Sequence, residues 1–217
     1  GDRYKSYRLL RCMKNRFGTT NEVGVFNMCD DGLHEISNPS EMFLNERTKN
    51  NTPGSVIIAT NEGTRPLLIE IQALVGTTSY PSPRRVSNGI DYNRLLQILA
   101  VLEKRVGLNL SKQDVYVNVI GGLEIDEPAA DLGVALAVAT CARDVCVSPD
   151  TAIVGELGLS GEVRAINNIE KRIKEAEKLG FKKIIIPATN TVKKEDFKNI
   201  EIMPVHRLLE AITACVN

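Results

Sequence analysis

A chain of 217 residues is long enough for one large domain, or for one domain with an appended piece. Its 27 basic residues balance 27 acidic ones, so bulk charge argues for no nucleic-acid partner and any basic surface must be local. No run approaches the roughly 18 apolar residues of a membrane span, and the N-terminal GDRYKSYRLLR lacks a signal peptide's apolar core. Five scattered cysteines without a CxxC pair fit reduced thiols in a cytoplasmic protein better than a disulfide frame or a zinc site.

In chain order, YKSYRLLRCMKNRF reads as a strand-like basic run and NEVGVFNM as a second strand. Asp30, Asp31 and Gly32 carry the turn into LHEIS. Asn38-Pro39-Ser40 opens a short helix over EMFLNER, and the polar Lys49 to Gly54 reads as a linker. Residues 1 to about 48 are therefore expected to be a hairpin-rich strip that belongs to something upstream.

From Ser55 the pattern is that of an α/β unit. SVIIAT and PLLIEIQALVG are predicted strands joined through Asn61-Glu62-Gly63, the second with strict alternation from Leu67 to Val75. The prolines and glycine of TTSYPSPRRVSNGI predict a loop. Asp91 then caps a helix whose apolar residues Leu95, Ile98, Leu99, Leu102 and Val106 fall at helical spacing, with Gly107 past its end. DVYVNVI reads as a strand, and DLGVALAVAT, apolar on all sides, as a central buried helix. TAIVGE and GLSGEVRA are predicted to form a hairpin at Ser160-Gly161. Asn168 is a candidate cap for IEKRIKEAEKL, whose Ile169, Ile173, Ala176 and Leu179 share one face. FKKIIIPA and EIMPV are further strands, and HRLLEAITACV is a closing helix. Strand–helix alternation with hairpins between predicts a mixed α/β sheet with helices packed on it.

Several stretches taken together carry a resemblance. KNRFGTTNEVGVF, NPSEMFL, PLLIEIQALV, PRRVSNGIDYNRL and GELGLSGEVRAINNIEKRIKEAEKLGFKKIIIP resemble the C-terminal part of the bacterial RadA (Sms) DNA-repair family across essentially the whole chain. From Gly54 onward the chain is also similar, more distantly, to the proteolytic domain of Lon proteases, which implies a ribosomal-S5-domain-2-like α/β fold. The resemblance implies that residues 1–48 are the end of a RecA-like ATPase core with its KNRFG motif, and residues 49–217 a Lon-like domain. The phosphate-binding GxxxxGK[ST] does not occur in this sequence, so the chain reads as a fragment. ATP and magnesium are expected of the full-length protein and not of this chain.

Lon proteases use a serine nucleophile, in a PSAG sequence, with a lysine base. The matching run here is Pro128-Ala129-Ala130-Asp131, so Ala129 stands where the serine would be, and Glu170 falls at the lysine's position. Lys171 lies one residue away, but one helical step turns a side chain by about 100°. Proteolysis is therefore not expected. Ser160 and Cys141, the alternative nucleophiles, are explained by turn chemistry and core packing.

Lys14 and Arg16, two apart on a predicted strand, project from one face. That is the look of a solvated edge strand, and the resemblance implies instead cations reaching the nucleotide of a neighbouring subunit. Arg84 and Arg85 on the polar loop, and Arg65 after a hairpin turn, are candidate phosphate contacts or ordinary surface charge. Lys171, Arg172, Lys174, Lys178, Lys182 and Lys183 are interleaved with Glu170, Glu175 and Glu177, which reads as a salt-bridge-laced surface. Glu124, Asp126 and Glu127 read as an exposed acidic loop, and His34 and His206 have no ligand-like neighbours.

The functional expectation is a non-proteolytic, oligomeric scaffold, a ring of about six copies, that binds single-stranded and branched DNA. It would do so within an ATP-dependent repair protein acting in branch migration beside a RecA-type recombinase. A peptidase with a relocated nucleophile, and a protein-interaction scaffold without DNA contact, are the alternatives.

Overall fold

The structure, a computed structural model, describes residues 7–11, 23–44, 52–63 and 65–216. Lys14 and Arg16 of the KNRFG motif lie outside the described residues, as does much of the expected linker. The strip at the start of the chain is a three-stranded antiparallel sheet of β1 (Tyr7–Arg11), β2 (Val23–Cys29) and β3 (Gly32–Glu35). Asp30 and Asp31 make the β2–β3 turn, with Gly32 at φ +130° as that reversal requires. A short helix, α1 (Pro39–Leu44), follows, and the Glu41 N–H donates to Asn38 Oδ1 at 3.4 Å.

The main body is a seven-stranded mixed sheet in the order β12-β11-β8-β4-β5-β7-β6. Its strands are β4 (Ser55–Glu62), β5 (Arg65–Thr77), β6 (Arg85–Asn88), β7 (Gln113–Val119), β8 (Thr151–Ile153), β11 (Lys183–Pro187) and β12 (Glu201–Val205). β4 and β5 form the expected hairpin, and β5 pairs antiparallel with β7; the other neighbours run parallel. The mixed α/β architecture expected from the alternation is what the chain adopts.

Both faces of the central strands are buried, and alternation sorts their side chains into two cores. Val56 and Ile58 of β4, with Ile69 and Ile71 of β5, face a layer of three helices. These are α2 (Tyr92–Val101), α3 (Asp131–Ala142) and α5 (Leu208–Val216). Ile57, Ala59 and Leu68 face α4 (Ile169–Lys178) through Ile169, Ile173 and Ala176. The all-apolar α3 is buried from Asp131 to Thr140, as a helix without a polar face must be. It lies close on the sheet at Gly133, where a Cβ would overlap the Ile58 side chain.

Three local expectations are corrected. Arg85–Asn88 is not loop but the edge strand β6, parallel to β7 with Arg85 opposite Val115. Four residues between Pro83 and Gly89 carry too little pattern to announce a strand whose partner is about thirty positions away. The hairpin at Ser160-Gly161 pairs β9 (Glu156–Leu157) with β10 (Val163–Arg164), while Thr151–Ile153 leaves it for the large sheet. Asn168 precedes α4 but adopts a left-handed conformation at φ +57° and makes no side-chain cap bond. Asp91, by contrast, caps α2 as expected, accepting from Arg94 N at 2.8 Å.

The junction near residue 48 is bridged by α1. Phe43 is buried in the larger core and its ring sits against Gly121, where an added Cβ would come within 2.7 Å. Ser40 Oγ accepts from Leu68 N at 3.1 Å and donates to Glu175 Oε1 at 2.9 Å, tying α1 to both β5 and α4.

Candidate functional site

The loop from Gly121 to Asp131 leaves β7, crosses the end of the β4–β5 hairpin and enters α3. Pro128–Ala130 form one 3-10 turn, with the Pro128 ring preset for helical φ. Ala129, the expected counterpart of a peptidase nucleophile, is 4% exposed and presents a methyl group to the smaller core. Its carbonyl accepts the Gly155 N–H at 2.9 Å, so the backbone here is held by the connection between β8 and β9. Glu170 lies exposed in the first turn of α4.

Between them lies an ion pair that the sequence hid. Arg172 is 1% exposed and corrects the expectation that it belongs to a solvated basic surface. Its Nη1 donates to Ala59 O at 2.6 Å and Glu127 Oε1 at 2.7 Å, Nη2 to Glu127 Oε2 at 2.6 Å, and Nε to Asn167 O at 3.1 Å. Glu127 Oε1 also accepts from the Thr60 hydroxyl at 2.5 Å and Asn61 N at 2.6 Å. Burial pushes the Glu127 carboxyl up, but Arg172 together with the Thr60 and Asn61 donors outweighs it, and the group sits below its ordinary value of 4.5. Glu127 is thus a half-buried anchor, its side chain 24% exposed, and not part of an exposed acidic loop; Glu124 and Asp126 are exposed as expected. The signal existed, because Arg172 falls at i+3 from Ile169 and beside Ile173, inside the apolar stripe of α4. A cation in such a stripe requires an internal partner.

A second pair closes the other side of the loop. Arg94 Nε donates to Asp131 Oδ1 at 2.7 Å and Nη2 to Oδ2, while Leu157 N donates to Oδ2 at 3.1 Å. Burial raises the Asp131 carboxyl, against the pull of Arg94 and of that N–H. Small clefts flank the loop. One of about 180 Å³ is lined by Asp91, Arg94, Asp126 and Asp131, and one of about 150 Å³ by Asn61, Glu62, Glu124 and Asp126.

The three candidate phosphate contacts have different surroundings. Arg84 is exposed, with its guanidinium 3.5 Å from the Tyr80 ring centroid. A hydrogen bond that the guanidinium donates to Tyr116, with the nearby Tyr80, raises its pKa, and a guanidinium is charged in any case. Its backbone N–H donates to Asp114 Oδ1 at 2.7 Å, and that bond, with Thr78, holds Asp114 below the usual carboxylate range. Arg85 points the other way. Its Nη1 donates to Arg84 O at 3.0 Å and to Gln113 O, and Nη2 to Leu110 O at 2.7 Å, so this side chain clamps the β6–β7 edge. Arg65, half-buried at the start of β5, donates from Nη2 to Ser37 O at 2.8 Å and holds the chain entering α1. Two of the three guanidinium groups are therefore engaged with backbone carbonyls.

Sequence comparison adds relatives to this geometry. The family described as subunit ChlI of Mg-chelatase matches residues 92–190, from α2 to just past β11. The chain is 51% identical over 212 residues to the DNA repair protein RadA of Bacillus subtilis, covering 98% of this chain and 46% of that protein. It is 51% identical over 216 residues to RadA of Synechocystis, covering 100% of this chain and 42% of that protein. Against RadA of Streptococcus pneumoniae it is 48% identical over 212 residues, covering 98% and 50%. The chain thus spans about half the length of the curated relatives it matches.

Proposed function

From the premise that this chain belongs, along its whole length, to the RadA DNA repair family, we propose that it is the non-proteolytic, Lon-like platform of a repair protein, assembling as a ring and holding DNA. The observation that carries the first half is the occupancy of the dyad region. A methyl group stands at Ala129, Glu170 is in solvent, and the space between β4, the loop and α4 is filled by the Arg172–Glu127 pair. Among the described residues no lysine amine bonds to this pair, and Arg172 directs all three of its nitrogens at protein acceptors. Peptide cleavage by a relocated nucleophile finds little support. Ser160 sits in a tight turn beside Gly161, and Cys141 Sγ accepts the Val75 N–H at 3.3 Å.

DNA binding is the second half, and Arg84 is its best-placed contact, because it is exposed, fully charged and stacked on an aromatic ring. In the full-length protein, ATP and magnesium would bind elsewhere, with Lys14 and Arg16 reaching a neighbouring subunit's nucleotide. Branched DNA and a RecA-type recombinase would be partners. The competing scaffold without DNA contact draws on a specific observation, the engagement of Arg85 and Arg65 with backbone carbonyls on a chain of zero net charge.

Fluorescence anisotropy with a labelled single-stranded oligonucleotide separates the two. On the DNA reading, Arg84→Ala weakens binding and reduces the slope of log affinity against log salt by about one. Absence of binding at low salt by the parent chain would leave the interaction scaffold standing.

A further inference from the structure

The geometry points to a transition-metal site, of zinc type, at the β2–β3 hairpin, made by Cys29, Asp31 and His34. Spacing in the sequence, C-x-D-x-x-H, matches no common metal motif, so the sequence alone does not announce a site. The hairpin supplies what the sequence lacks. Asn27 is directly opposite His34 and Cys29 opposite Gly32, so the alternation of β2 puts Cys29 and His34 diagonally adjacent on one face. The turn then carries Asp31 back over that face.

The three donor atoms, the cysteine sulfur, a carboxylate oxygen and a ring nitrogen, all lie within 4.8 Å of one another. His34 Nε2 and Asp31 Oδ1 already converge at 2.9 Å. With metal–ligand bonds of about 2.0–2.3 Å, a tetrahedral zinc site needs donors about 3.3–3.8 Å apart, so side-chain adjustments on the order of 1 Å suffice. Among the described residues this is the group of such donors that converges; Glu124 and Asp126 have no third donor with them.

Donor chemistry selects the ion. A thiolate and an imidazole disfavour calcium and magnesium, which take oxygen ligands, and suit zinc or cobalt with a water in the fourth position. Loading would displace the proton of the Cys29 thiol to solvent, since the thiolate is the ligand. The side chains of His34 and Asp31 are 57% and 73% exposed and Cys29 is half-buried, which leaves the site open to exchange. An ion there would lock the turn of the three-stranded sheet at its free end.

The test is a titration of the chelator-treated 217-residue chain with Co(II), read by absorbance. The expected result is one equivalent bound, with a near-ultraviolet thiolate-to-metal band and visible bands of tetrahedral intensity, both quenched by competing Zn(II). Cys29→Ser abolishes the near-ultraviolet band, Asp31→Asn or His34→Ala weakens apparent affinity at least about tenfold, and Cys141→Ser and Cys146→Ser leave it intact. No band in excess Co(II), or a band that survives Cys29→Ser, overturns the site. A band lost in Cys29→Ser but unmoved by both other variants marks a lone reactive thiol and overturns it as well.

Discussion

Arg172 and Glu127 illustrate how much a single pair can decide. Each is satisfied by several bonds, and Arg172→Met leaves Glu127 without its cation; because that carboxylate is 24% exposed and water can reach it, the expected cost is about 1–3 kcal/mol in urea denaturation. The pH dependence follows from the depressed Glu127 pKa. Its contribution is present above the unfolded value near 4.5 and is lost as pH falls through the folded one. The gap between parent and Arg172→Met should therefore narrow on going from about pH 7 to below that range; a gap independent of pH would show that the pair is not what the variant removed. Arg85 behaves likewise on the opposite edge. Arg85→Ala removes a charged donor from three carbonyls, of which Arg84 O keeps the Val115 N–H and Leu110 O the Gln113 N–H, and is expected to cost about 1–3 kcal/mol, whereas Arg84→Ala is expected to leave the melting temperature nearly unchanged. At Ala129, restoring the hydroxyl with Ala129→Ser should release no peptide from unfolded casein, because no lysine amine is positioned to activate it. This was legible in the sequence, since a nucleophile's absence needs only the side-chain identity. The role of Arg172 was half legible, visible as a cation in an apolar stripe but without its partner, which comes from 45 residues earlier.

At the level of elements, those with strong local pattern were readable and those made by pairing were not. α2 announced its cap and its end, and α3 its complete burial. The contact of α3 with β4 is set at Gly133, where Gly133→Ala forces the helix off Ile58. That variant should lose about 1–3 kcal/mol, a fall of several degrees in melting temperature for a domain of this size. β6 and the separation of β8 from its apparent hairpin escaped, because short strands are stabilised by neighbours distant in sequence and not by their own propensity.

At the scale of the whole molecule, neutrality and local arginines argue for DNA contact only through assembly. Several copies in a ring would multiply a weak site, so oligomeric mass from sedimentation velocity should rise and DNA affinity should rise with it. A monomer binding DNA as strongly as the assembled form would contradict the ring. Fold class and the complete burial of α3 were carried by the amino-acid string. They depend on periodicity and side-chain identity, which are local properties. Which arginine is free, which is a clamp and which is an internal anchor depended on folding, as did the convergence of Cys29, Asp31 and His34. Partnership of a charged or ligating group is a matter of distance in space, and a linear chain does not encode that distance until its strands have paired.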